Sequence, residues 1–154
     1  MKNQEKALKW IIGKLELRHI NYQVVGGLAA IAYGSTRELA DIDLYISYQS
    51  SQKFLEDIKP YIYWGPEHQK DEHWDITYLK MDYEGQKIEI GNSDNAKIFD
   101  TRTSSWVSQG IDYSTSERKP VFGCSMNVMP LNQLLDYKAA LNREIDLLDI
   151  QQLT

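Results

Sequence analysis

Two carboxylates stand two residues apart in Asp41-Ile42-Asp43-Leu44, and a glycine pair, Gly26-Gly27, precedes them by thirteen residues. In an extended strand the side chains at i and i+2 share a face. Asp41 and Asp43 therefore lie close together, opposite the face formed by Ile42, Leu44 and Ile46. Without a counter-ion they repel, and one is driven to take up a proton. A hard divalent cation removes that conflict, and Mg²⁺ is typically held by one or two protein carboxylates plus phosphate oxygens. Glycines between a strand and a helix let backbone N–H groups approach a phosphate, and a helix N-terminus favours negative charge. Arg37, in the intervening loop, can offer the same phosphates a forked cationic donor. An Asp-x-Asp alone is more often a solvated edge, and a glycine pair more often a plain turn. Their combination with the arginine loop discriminates.

A third carboxylate extends the pattern. Glu89 stands between Ile88 and Ile90; if those two face a core, Glu89 points to the opposite face of its strand. Were the two strands neighbours, Asp41, Asp43 and Glu89 would converge. Phosphoryl-type transfer needs metal ions to align attacking and leaving oxygens and to absorb developing charge. A third acid can ligate a metal or take the acceptor's proton. Lys138 lies on the apolar stripe of the last predicted helix, so it needs an anionic partner or a route to water. A triphosphate would serve; a packed stem with a solvated tip is the plainer alternative.

The elements that must position these residues are legible in part. Asn3 to His19 predicts an amphipathic helix, with Leu8, Ile11, Ile12 and Leu15 on one face. Asn21 to Val25 reads as a strand, Leu28 to Tyr33 as a buried helical stretch closed by Gly34, and Asp41 to Ser47 as a strand. Ser50 to Lys59 predicts a helix stopped by Pro60; Trp74 to Lys80 and Gln86 to Ile90 predict a hairpin around Tyr83-Glu84-Gly85. The stretch 61–71 mixes signals, and 92–119 has no clear period, so irregular structure with one short helix is expected there. Pro120 to Val128 suggests one or two strands. One helix from about Pro130 to Ile150 closes the chain, its stripe running through Leu131, Leu134, Leu141, Ile145 and Leu148. The expected architecture is a single α+β or α/β domain over residues 1–154, a small mixed sheet flanked by helices.

Bulk properties narrow the function classes. A chain of 154 residues, 42% hydrophobic and 25% charged, suits one soluble globular domain, so disorder is not the starting assumption. The net charge of −5, with Lys and Arg spread between acids, disfavours nucleic acid as a partner. The lone Cys124 allows neither an internal disulfide nor a cysteine zinc site. No secretory signal or membrane span is legible, and a cytoplasmic location is expected by elimination. His68 and His73 flank an acidic, aromatic stretch, but their spacing fits no metal template, and they read as surface residues. Trp64, Trp74, Trp106 and the tyrosines are best assigned to packing. Nothing in the sequence promotes Arg102 or Arg118.

The run from Val24-Val25-Gly26-Gly27-Leu28-Ala29-Ala30 through Gly34-Ser35-Thr36-Arg37 to Asp41-Ile42-Asp43-Leu44 resembles the nucleotidyltransferase superfamily related to DNA polymerase beta. It is most similar to the lincosamide and aminoglycoside branch. Met129-Pro130-Leu131 to Tyr137-Lys138, with Leu141-Asn142-Arg143-Glu144 and Asp146 to Ile150, is similar to that branch's closing helix. The resemblance implies a mixed sheet flanked by helices, with Asp41, Asp43 and Glu89 as catalytic residues and Mg²⁺ ligands. It implies Gly26, Gly27, Ser35, Arg37 and Lys138 at the nucleotide. The implied reaction moves a nucleoside monophosphate from a nucleoside triphosphate to an acceptor hydroxyl, on a small molecule or a protein, releasing pyrophosphate. Two departures stand out. Relatives often carry Thr or His where this chain has Leu39. No sizeable second domain follows to build an acceptor pocket, which a homodimer could form across subunits.

A second reading is a fold relative without catalysis, acting as a binding partner such as a toxin–antitoxin component. A polymerase-like enzyme is a third, and the acidic balance argues against it.

Overall fold

The structure, a computed structural model, describes residues 3–154. Its elements in order are α1 (Gln4–Leu17), β1 (Tyr22–Val25), α2 (Gly26–Ala32), β2 (Ile42–Ile46), α3 (Gln52–Ile58), β3 (Ile62–Lys70), β4 (Trp74–Tyr83), β5 (Gln86–Asn92), β6 (Lys97–Asp100), β7 (Ser105–Ser108), β8 (Glu117–Val121), β9 (Cys124–Val128), α4 (Leu131–Leu141) and α5 (Glu144–Leu153). Four short 3₁₀ turns lie between them.

One mixed sheet of nine strands organises the fold, in the order β7-β6-β4-β5-β2-β1-β9-β8, with β3 added to β4. At its centre β2 runs antiparallel to β1 and parallel to β5, and β1 runs parallel to β9. The sheet is mixed as expected, and larger than the sequence suggests. The stretch 61–71 contributes the strand β3, and 92–119 contributes β6, β7 and the start of β8. These strands are short or largely exposed. Each turns at most one apolar residue fully into the core, Ile98 in β6 and Val121 in β8, too few to write a period-2 signal.

The core gathers on the face that Ile42, Leu44 and Ile46 of β2 share with Ile88 and Ile90 of β5. Helix α1 buries Ala7, Leu8, Ile11, Ile12 and Leu15, as its periodicity demands. Phe54 and Ile58 of α3 are fully buried. No helix among the described residues is long and apolar enough to cross a membrane.

The expected single closing helix is two helices. Asn142 adopts left-handed geometry (φ 54°, ψ 32°) and ends α4, a conformation asparagine tolerates better than most residues. The break turns α5 so that its acids point inward. Asp146 and Asp149 are buried, whereas Ile145, Leu147 and Leu148 are exposed. The apolar stripe expected to continue through Ile145 and Leu148 therefore stops at Leu141. Ion pairs to Lys138, Arg37 and Arg143 offset the cost of burying the acids.

Ile88→Ala, at the centre of the sheet, is expected to cost about 2–5 kcal/mol through lost burial and a residual cavity. Urea unfolding of the variant beside the wild type measures it.

Candidate active site

The strands β2 and β5 pair in parallel with Asp43 directly beside Glu89. Both side chains rise from the sheet face opposite the Ile42–Leu44–Ile88–Ile90 core. The two carboxyl groups share a hydrogen bond, which requires a proton between them. Burial pushes the Asp43 carboxyl well above the usual carboxylate range, and the charges of Glu89 and Asp41 push the same way. Glu89 is raised too, chiefly by burial, with the hydrogen bond from Asp43 and the charge of Lys80 opposing. No lysine or arginine forms an ion pair with Asp41, Asp43 or Glu89 among the described residues.

The glycine turn closes on this pair. Gly26 has φ +64°, and a Cβ there would stand 2.9 Å from Asp43 Oδ2. Only glycine combines that backbone with that approach. A Cβ on Gly27 would come within 3.0 Å of the Arg37 guanidinium carbon, so the arginine lies flat against the start of α2. Gly91, at the end of β5, leaves room for the Tyr45 ring, which would be 2.9 Å from a Cβ.

A cavity of about 410 Å³ opens over these groups. Asp41, Asp43 and Glu89 line it together with Gly26, Gly27, Arg37, Lys138 and Arg143. Trp74, Tyr45 and Tyr137 complete the wall. Trp74 Nε1 donates to Tyr137 Oη at 3.2 Å, and Tyr137 bonds to Tyr45. Burial pushes the Tyr137 phenol up to about 12 and Tyr45 further, so both remain neutral hydrogen-bonding groups at physiological pH. The Arg143 guanidinium stacks on Trp74 at 4.8 Å and is forked onto Asp146, with bonds of 2.7 and 3.0 Å.

Among the described residues, no three His, Cys, Asp or Glu side chains are gathered tightly enough to form a ready-made metal centre. The donor chemistry still suits one. Asp43 and Glu89 are hard oxygen ligands pressed together without a cationic partner, and Asp41 bears on both electrostatically. Two carboxylates completed by phosphate oxygens are what Mg²⁺ commonly accepts.

No protein-family model matches the sequence, and no curated protein matches it. Solved structures do match. A candidate nucleotidyltransferase from Thermotoga maritima aligns over 92% of this chain and 86% of its own, with a TM-score of 0.71 at 19% identity. The lincosamide antibiotic adenylyltransferase LnuA, solved with lincomycin bound, aligns over 99% and 96%, with a TM-score of 0.62 at 17% identity. ANT(2'')-Ia, solved with adenylyl-2''-tobramycin, aligns over 99% and 88%, with a TM-score of 0.61 at 11% identity. The chain has the nucleotidyltransferase fold. Its structural neighbours include the lincosamide and aminoglycoside enzymes whose branch the sequence resembles.

Within this nucleotidyltransferase fold, the residues picked out by sequence are not equally placed. Asp41, Asp43, Glu89, Gly26, Gly27, Arg37 and Lys138 all border the one cavity. Ser35 does not: its hydroxyl donates to Gln152 at 2.7 Å and accepts from the Arg37 backbone N–H at 3.2 Å, which fixes the loop. Lys138 is buried against Asp149 at 2.8 Å, an internal anion in place of the expected triphosphate. Leu39, the departure from relatives, is a buried part of the cavity wall. His68 and His73 lie outside it, His68 paired with Asp75. Arg102 is committed to Asp100 and Asp136, and Arg118 to Glu16. The sequence reading assigns Trp74 and the tyrosines to packing and gives Arg143 no role, since an arginine beyond a helix end and two aromatics carry no positional signal of their own; all three line the cavity.

The raised carboxyls set a sign for stability. Between the unfolded-state and folded-state pKa of Asp43, the folded chain holds a proton that the unfolded chain has released. Metal-free stability from this group is therefore lost as pH rises. Asp43→Asn is expected to melt higher than wild type without metal, by a margin that widens from acid to neutral pH in thermal melts. Gly26→Ala is expected to lose about 1–2 kcal/mol or more from left-handed strain and the clash with Asp43, measured by chemical denaturation.

Proposed function

We propose that this protein is a Mg²⁺-dependent nucleotidyltransferase that moves a nucleoside monophosphate from a nucleoside triphosphate to the hydroxyl of a small molecule or a protein. The observation that carries the reading is the in-register pairing of Asp43 with Glu89, closed on by the Gly26-Gly27 turn at the edge of a cavity that all four residues line. A structure built only for stability has little reason to press two uncompensated carboxylates together beneath a pocket.

Asp43 and Glu89, with Asp41 beside them, would hold Mg²⁺; when bound, it supplies Lewis-acid charge for the phosphates. The Gly26-Gly27 backbone admits the triphosphate closely because no Cβ intervenes. Arg37 presents its fork from the same side and balances phosphate charge. The acceptor oxygen attacks the α-phosphorus, a new P–O bond forms, and pyrophosphate leaves with the electrons of the broken bond. Glu89, more open to the cavity than Asp43 and raised by burial, suits receipt of the acceptor's proton. Trp74, Tyr45 and Tyr137 narrow the cavity and exclude water from the reacting atoms.

Lincosamide and aminoglycoside acceptors are those of neighbours that share the fold at low identity. They define the first compounds to try.

Thermal shift with ATP, GTP, CTP and UTP tests the reading. With Mg²⁺, at a nucleotide concentration about a hundred times its Kd, about 2.7 kcal/mol of stabilisation is expected. Omission of Mg²⁺ or Asp43→Asn should abolish it. If none of the four nucleotides shifts the wild type, the protein is not a nucleotidyltransferase of this kind; pyrophosphate release with trial acceptors then separates turnover from binding.

A further inference from the structure

Behind the glycine turn, α4, α5 and the loop before β2 join five charged side chains. A single oxygen, Asp149 Oδ2, accepts from Arg37 Nη1 at 2.7 Å and from Lys138 Nζ at 2.8 Å. Asp146 lies 3.8 Å from the same lysine and is forked by Arg143. Three cations thus share two anions, and one positive charge remains uncompensated beside the cavity. The burial is uneven. Side-chain exposure is 1% for Lys138 and 2% for Asp149, while Arg37 keeps 25%. Arg37 also rests against Gly27, and both line the cavity.

We propose that Asp149 is a positioning residue: it locks the Arg37 fork over the glycine turn for the phosphates, and Lys138 acts through Asp149 rather than on phosphate. This rests on the nucleotidyltransferase reading above. A guanidinium with one N–H donating to a carboxylate keeps four further N–H donors and a fixed plane. A long arginine free to rotate must instead lose that freedom on binding. Lys138 cannot turn to a phosphate without leaving Asp149 half-paired inside the protein, which is strongly unfavourable. Its charge makes burial of Asp149 affordable, and Asp149 in turn aims Arg37.

Simple electrostatics and positioning give opposite signs here. Removing the Asp149 charge makes the region more positive, which alone would tighten anion binding. Calorimetric titration of wild type and Asp149→Asn with sodium tripolyphosphate and with ATP, at fixed MgCl₂, decides between them. Asp149→Asn is expected to bind both at least tenfold more weakly while Mn²⁺ binding, titrated alone, stays within twofold. Equal or tighter tripolyphosphate binding by the variant overturns the positioning role and leaves the nucleotidyltransferase reading intact. If wild type binds neither tripolyphosphate nor ATP, both fall together. In an Arg37→Met background, Asp149→Asn is expected to add no more than a twofold further loss, since one acts through the other; independent, multiplying losses refute it. If Asp149→Asn does not fold by circular dichroism, Arg37→Lys decides. It keeps the charge but not the fork, so a tenfold loss supports the assignment and wild-type affinity refutes it.

Discussion

Two carboxylates that would be stable apart are held together by backbone register. The parallel pairing of β2 with β5 sets Asp43 beside Glu89, and the hydrogen-bond ladder at the centre of the sheet fixes their backbone positions side by side. Burial raises both carboxyls, and the charge of neighbouring acids adds to it. Much of the remaining architecture serves that pairing. Ile42, Leu44, Ile88 and Ile90 anchor the two strands from the opposite face, where all four are almost completely buried. Glycine at position 26 lets the chain turn within van der Waals reach of Asp43.

The same cavity has a second electrostatic half. Arg37, Lys138 and Arg143 also line it, and their charge is mostly, but not fully, neutralised by Asp146 and Asp149. The two halves are complementary to a ligand carrying both cationic metal and anionic phosphate. The ion pairs of the three basic residues are made to α5, and the Arg143 charge also reaches Asp43. The result is a pocket in which both signs of charge are pre-set and little reorganisation is needed on binding. Pre-setting a site in this way costs stability, as expected where like charges are kept together for a ligand.

Burial of the α5 acids is the least expected feature of the molecule. Helix periodicity alone would turn Ile145 and Leu148 inward and expose Asp146 and Asp149. The structure does the reverse, and the left-handed Asn142 is the pivot. Apolar residues left at the surface are ordinary. Buried acids are not, and these are retained by three cations that the rest of the fold brings to the cavity wall.

Residues 22–47 stated much of the site by themselves. The alternation Asp41-Ile42-Asp43-Leu44 dictates which side chains share a face, because a strand has period two. Gly26-Gly27 marks a turn, and Ile88-Glu89-Ile90 sets the direction of Glu89 by the same local rule. The α1 stripe and the β4–β5 hairpin were legible for similar reasons: each pattern is complete within a few consecutive residues. What only the tertiary structure decided is which strands are neighbours and what faces the cavity from elsewhere. That Asp43 meets Glu89 depends on a parallel pairing between residues 46 positions apart, for which no local periodicity exists. The short or mostly exposed strands of 61–71 and 92–119 gave no pattern, since none turns more than one apolar residue of its own fully into the core. The pairing of Arg37 and Lys138 with Asp149 was invisible for a third reason. An ion pair between distant segments leaves no mark on the spacing of either, and it exists because packing brings α5 against α4 and the loop 35–37.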